Sequence, residues 1–255
     1  MDALQRYMAK GHLRVEGWLW PGAIQLIAAL AQVQRTFGVQ GGVGEIGVHH
    51  GRLFILLHLL CGPEERSAAW DLFEDQDQNL DASGRGDYAR LLGNLEAHGC
   101  DLARIQLIKA NSTALDSEGV RAVLGGGARL FSVDGGHTAS LTYGDLLTAS
   151  GALSEGGIAI LDDFYNEQWP EVAEGALRFL LGHPEQLFPV AIGGNKVIFT
   201  NSAQWAARYQ GALSGSGPGA HKRAELGGRP VLVFRFSQPA NLAQRLLRRL
   251  DRLFG

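Results

Sequence analysis

Cysteine is almost missing from this chain: Cys61 and Cys100 are the only two in 255 residues. Two cannot build a disulfide framework, and neither has zinc-ligand spacing, so a reducing compartment such as the cytoplasm is expected. Long apolar runs are missing too. The most apolar windows, Ala23–Val33 and Leu53–Cys61, are too short to span a bilayer and carry Gln or His. The N-terminal MDALQRYMAKGH mixes acid and base and lacks a signal-peptide core. Nor is positive charge in excess: the net charge is −3, which makes nucleic acid a poor partner. No internal repeat is visible. A composition of 45% hydrophobic and 19% charged residues suits a globular protein, long enough for one large α/β domain with additions.

Glycine, by contrast, is abundant, and its 35 residues cluster at segment ends, as many tight strand–helix turns require. The chain is organised around Arg129 to Phe164, which reads RLFSVDGGH, a helix-like run, then GGIAILDDF. Two short apolar runs, Leu130–Val133 and Ile158–Leu161, end abruptly in acid: Asp134 in one, Asp162 and Asp163 in the other. Their length and the helical pattern of Thr138–Ala149 between them predict adjacent parallel strands of a βαβ unit. Ligands of such sheets bind beyond the carboxyl ends of the strands, so the three acids and His137 converge on one rim. Three oxygen donors suit a hard cation such as Mg²⁺, and the mutual repulsion of three unpaired carboxylates is a further reason to expect one. His137 stands where it could take a proton from a bound group. The competing structural reading has Asp134 merely ending its strand and Asp162–Asp163 capping the next helix.

Upstream, VQGGVGEIGVHHG admits two alignments. Gly42-x-Gly44-x-x-Gly47 matches the dinucleotide fingerprint literally, but four residues intervene before the next helix. The favoured alignment ends a strand near Ile46 and makes Glu45-x-Gly47-x-x-x-Gly51 the turn, with glycines that let a ligand approach and an acid near its charged groups. His49 and His50 fall in this loop, and His58 is a packing residue of the helix Arg52–Leu60. Ser67–Phe73 is a second strand whose Asp71 can accept from ribose hydroxyls. Glu74–Asp87 is a polar loop, long for a strand–helix connection, and forms a pocket wall. After the strand Arg104–Lys109, Asn111 and Ser112 either read a cofactor's base or cap a short helix.

Residues 1–38 are expected to be helical, with Pro21 in the first turn of a helix reaching Phe37. Asp145 is expected on the outer side of its helix, while Phe164, Tyr165 and Trp169 line the rim or pack. Gln186–Ile192 and Lys196–Asn201 flank Gly193-Gly194-Asn195 as a hairpin, which fits a mixed sheet. Residues 202–255 form an appendage: a helix near Ala203–Leu213, a GSGPG linker, a strand RPVLVF and a basic amphipathic helix Ala240–Phe254, read as a solvated face or dimerisation element.

The elements EIGVHHG, AWDLF, SVDGGH and ILDD together resemble class I S-adenosylmethionine-dependent methyltransferases. More narrowly, they resemble the metal-dependent O-methyltransferases that modify sugars of macrolide and aminocoumarin natural products. The resemblance covers about Gly38 to Asn201. It implies a Rossmann-like α/β fold with a seven-stranded mixed sheet, the last strand antiparallel, spanning 39–201 between N-terminal helices (1–38) and a C-terminal extension (202–255). It also implies that Glu45, Gly47 and Gly51 bind the methionine part of S-adenosylmethionine and Asp71 its ribose. Asp134, Asp162 and Asp163 match the Mg²⁺ ligands, and Asp134, with Asn111 and Ser112 if they read the base, stands as a further candidate for cofactor contact. His137 matches the general base of some members; in others the first aspartate, here Asp134, takes that role.

The expected activity is methyl transfer to a hydroxyl of a small acceptor such as a glycoside, aided by Mg²⁺ or another divalent cation, in a homo-oligomer. Metal coordination lowers the pKa of a bound oxygen and fixes its position, and much of the remaining catalysis is positioning. The rival readings are a metal-free methyltransferase, a non-catalytic cofactor-binding protein of the same fold, and a nicotinamide-dependent oxidoreductase using Gly42–Gly47.

Overall fold

Asp2 opens the first helix: its carboxylate accepts from the Gln5 amide and the Gln5 side chain accepts from Asp2 N, a reciprocal cap for α1 (Ala3–Ala9). A computed structural model describes residues 1–236. The basic helix expected at Ala240–Phe254 lies outside the described residues.

α2 (Pro21–Phe37) begins at the proline, as its fixed φ and missing N–H favour. There follow β1 (Gly42–Ile46), α3 (Arg52–Leu59), β2 (Ser67–Asp71), α4 (Tyr88–Ala97), β3 (Ile105–Lys109) and α5 (Ser117–Leu124). Next come β4 (Ala128–Val133), α6 (Ala139–Ala152), β5 (Leu153–Leu161), α7 (Pro170–Gly182), β6 (Phe188–Gly193) and β7 (Lys196–Thr200). α8 (Ala203–Ser216), β8 (His221–Leu226) and β9 (Arg229–Phe234) complete the described chain.

The strands form one mixed sheet in the order β3-β2-β1-β4-β5-β7-β6-β9-β8. β1 to β5 are parallel, and β7 runs antiparallel between β5 and β6. The antiparallel seventh strand is as expected, but the sheet has nine strands rather than seven. β9 lies parallel to β6 through Ala191↔Leu232 and Ile192↔Val233, and β8 returns beside it. Part of the expected appendage thus covers what would be an open edge at β6. β8, HKRAEL, is polar and mostly exposed, so no alternation of apolar residues announces it. α5, which buries Val120 and Leu124, lies in a stretch for which no element was expected.

Side-chain alternation along the strands feeds two cores. Val43, Leu130, Ile158 and Ile160 pack with Ile27 and Leu30 of α2, Phe54 of α3, Leu91 of α4 and Tyr209 of α8. Phe131, Ala159 and Leu161 pack on the other face with Val120 of α5, Leu146 of α6 and Phe179 of α7. Helices therefore close both faces and leave the strand ends as the free rim. The connections leave in opposite directions from β1 and β4, and at such a switch point a crevice forms beyond the carboxyl ends.

Candidate active site

The carboxyl ends of β1, β2, β4 and β5 open into a cavity of about 1010 Å³. That is the upper end of the roughly 300–1,000 Å³ range of ligand pockets, large enough for a donor and an acceptor together. Gly47, Asp71, Asn111, Ser112, Asp134, His137, Asp162 and Asp163 all line it. Glu45 and Gly51 do not. Glu45 is 2% exposed on β1 with its Oε2 unpartnered behind the cavity wall, where burial pushes its carboxyl up to about 8. Gly51 is the left-handed residue (φ 87°) that precedes α3.

Gly42 and Gly44 lie inside β1, so they do not form the strand-to-helix turn a dinucleotide fingerprint needs. The turn is at Gly47, whose φ is +79° and where a Cβ would stand 1.8 Å from the Asp134 carbonyl oxygen. Only glycine fits this cradle. Across it, Asp71 accepts from the backbone N–H of His49 (2.8 Å) and of Phe73 (2.7 Å). Burial nevertheless raises the Asp71 carboxyl above its ordinary value. Asn111 both lines the cavity and caps a short turn by accepting from Thr113 N at 3.1 Å.

The register of β4 and β5 sets the acids side by side. Val133 pairs with Leu161, Asp134 N donates to Ile46 O (3.0 Å), and Asp162 N donates to Val133 O (3.0 Å). The three acids then diverge. Asp162 is held by the buried ammonium of Lys196, the first residue of β7. Asp163 turns into the left-handed region (φ 58°), where its Oδ1 accepts from Asn166 (2.9 Å) and Asn195 (2.5 Å) and its Oδ2 lies 3.0 Å from His137 Nε2. Non-glycine residues with positive φ at His49, Asp163 and Asn195 all line the cavity, a concentration of backbone strain that is common at functional sites.

One donor atom each from Asp134, His137 and Asp163 lie within 4.8 Å of one another, a set able to ring a cation. This differs from the expected trio, because the Lys196 ion pair occupies Asp162. The donor chemistry, two carboxylates and an imidazole, suits a divalent ion. Burial and the neighbouring Asp162 charge raise Asp134 well above the carboxylate range, against the opposing pull of Lys196. Burial would also raise Asp163, but hydrogen bonds from His137 and Asn166 outweigh it and hold it low. Burial lowers His137, whereas its hydrogen bonds to Asp163 and Asp81 more than offset this, and the ring titrates above its ordinary value.

Sequence reasoning missed Lys196, Asn195, Asp81 and Asp145. The first two sat in what read as a hairpin, and Asp81 in a loop with no pattern. Asp145 was expected on the outside of α6 but is 2% exposed, and burial carries its carboxyl up to about 7. Its Oδ2 lies 2.7 Å from the place a Gly135 Cβ would take, so the turn after β4 folds down over it. His58, as expected, is a packing residue, bonded to Ser67 Oγ at 2.7 Å.

Residues 45–164 match the family model for a methyltransferase domain. In fold the chain is similar to the O-methyltransferase NovP, at 14% identity and TM-score 0.58, covering 71% of this chain and 81% of that one. It is also similar to a calicheamicin methyltransferase, at 19% identity and TM-score 0.53, covering 78% and 91%. No curated protein matches it by sequence. The fold is thus that of the class I methyltransferases, and the chain resembles their S-adenosylmethionine-dependent O-methyltransferases. Among the described residues no helix is long and apolar enough to cross a membrane.

Proposed function

We propose that this protein is an S-adenosylmethionine-dependent O-methyltransferase that methylates a hydroxyl of a small acceptor, such as a sugar, with the help of a divalent ion. The observation that carries the proposal is the convergence of Asp134, His137 and Asp163 beside the Gly47–Asp71 cradle of a methyltransferase fold. S-adenosylmethionine supplies an electrophilic methyl group, and a divalent ion acidifies and orients an acceptor oxygen when bound. The chain does the rest. Gly47 would let the donor lie against the backbone, Asp71 would accept from ribose hydroxyls, and Glu45, whose Oε2 has no hydrogen-bond partner, stands behind the cavity wall. Asp134 and Asp163 would hold the ion. His137, whose Nδ1 is held by Asp81, would take the hydroxyl proton on Nε2 once Asp163, now 3.0 Å from that nitrogen, turned to the ion.

A related solved structure is described as a TDP-rhamnose 3'-O-methyltransferase, which favours a sugar acceptor here. No arginine is found among the described residues lining this cavity, however, so the lining favours a sugar without a diphosphate. Trp169, stacked on His137 at 4.5 Å, and Tyr165 supply flat walls for a ring. A second reading, methyl transfer without metal, has Lys196 in its favour, since that ammonium already supplies a cation among the acids.

Isothermal titration with S-adenosylmethionine and with NAD⁺ tests the cofactor, and methyl transfer to hydroxylated sugars with and without Mg²⁺ tests the reaction. Binding of NAD⁺ alone would sink the proposal. Equal turnover after chelation would leave the metal-free reading.

A further inference from the structure

The loop between β2 and α4 reaches across the cavity and touches the centre of the site through one side chain. Asp81 Oδ2 accepts from the backbone N–H of His137 (2.6 Å) and from its ring Nδ1 (2.9 Å). The other oxygen accepts from Ser83 N (2.9 Å) and Ser83 Oγ (2.5 Å). A residue that merely shaped its own loop would need only the Ser83 bonds. Here one carboxylate oxygen is instead spent on both the main chain and the ring of a residue 56 positions away. The loop is tied down on the opposite side too, where Asn111 Nδ2 donates to Gln78 Oε1 at 3.2 Å.

We propose that Asp81 is the positioning residue of His137: it fixes the ring's orientation and keeps the proton on Nδ1, leaving Nε2 to face Asp163 and the acceptor. The ring has two further restraints, the face of Trp169 at 4.5 Å and 17° and Asp163 at 3.0 Å. Stacking is indifferent to the ring's protons, and the Asp163 carboxylate accepts from Nε2 only, so neither of these restraints holds a proton on Nδ1. Asp81 Oδ2 accepts from the main-chain N–H of His137 as well as facing the ring, and all four hydrogen bonds of this carboxylate are ones in which it can accept. The Nδ1 must therefore be the protonated nitrogen. The acceptor for this proton is thus supplied by the long loop between β2 and α4.

The proposal rests on the methyltransferase reading only for its kinetic arm. Asp81→Asn keeps size and shape but turns one of the two acceptor oxygens into a donating amide beside a backbone N–H, and should lower kcat by about 10–100-fold. The affinity for S-adenosylmethionine, read by titration calorimetry, should stay within about threefold, and Asp81→Glu should restore part of kcat. The second arm needs no activity. A downfield ring-proton resonance assigned to His137 Nδ1 should be present in the unmodified protein and in Asp81→Glu, and absent in Asp81→Asn, with unchanged melting temperature confirming the fold. Persistence of that resonance in Asp81→Asn, or an unchanged kcat in an active enzyme, overturns the proposal. Loss of the resonance in a protein without methyl-transfer activity would uphold the positioning role and refute the enzymatic reading instead.

Discussion

The ammonium of Lys196 lies against Oδ2 of Asp162, and the two side chains are only 2% and 8% exposed. Glu45 and Asp134 stand in the same buried field. The carboxylate cluster thus contains a built-in cation from β7. Removing one partner of a buried pair leaves an uncompensated charge, which costs about 3–5 kcal/mol. Lys196→Met should lose that much in urea unfolding, and Lys196→Met combined with Asp162→Asn should recover most of it. Midpoints matching the unmodified protein for the single variant would show that the pair does not serve as counter-charge.

The same pairing separates the acids by role. Asp134→Ala and Asp163→Ala should abolish calorimetric Mg²⁺ binding and Mg²⁺-dependent turnover, with cofactor affinity intact. Asp162→Asn should act chiefly on stability. Simultaneous loss of metal and cofactor binding in Asp163→Ala would mark that residue as structural.

His137→Ala divides base from ligand. As a base, its removal slows turnover by about 10²–10⁴ while Mg²⁺ still binds. Mg²⁺ binding that disappears with the ring would place His137 among the ligands, and an unchanged rate would move proton removal to Asp134 or water.

Glycine is required at Gly47 for two reasons and at Gly38 for one. Gly38 (φ +70°) has open space where a Cβ would sit, whereas at Gly47 that atom meets the Asp134 carbonyl. Gly38→Ala should cost about 1 kcal/mol, the left-handed penalty alone. Gly47→Ala should cost more and should remove S-adenosylmethionine binding as the strand tips are pushed apart. Comparable stability and affinity for the two variants would contradict the cradle.

Burial drives His58 down to about 4. Its neutral ring accepts from Asp101 N at 3.0 Å, an arrangement only the unprotonated form allows. The unfolded chain therefore binds more protons than the folded one between its ordinary value near 6.5 and about 4. Stability is fully present above that window and falls as pH drops through it. His58→Gln should flatten the melting temperature over this range, and an unchanged slope would assign the loss to other groups.

Much of this was readable from the chain alone. Apolar runs stopping at Asp134 and at Asp162–Asp163 marked the strand tips, because strand periodicity and glycine turns are local signals. The turn after Ile46 and Asp71 at the end of β2 were likewise local, and so was the proline that starts α2. The polar strand β8 gave no such signal, since an exposed edge buries too little to impose a pattern.

What residues 129–164 determined by themselves was which acids gather at the rim. Which acid faces which partner was decided only by the folded sheet. Lys196 reaches Asp162 and Asp81 reaches His137 across 34 and 56 residues. Those meetings follow from strand order and loop closure, which no spacing encodes. Adjacent Asp162 and Asp163 part company because the chain leaves its extended form at Asp163, so one carboxylate turns inward to an ammonium and the other toward the cavity.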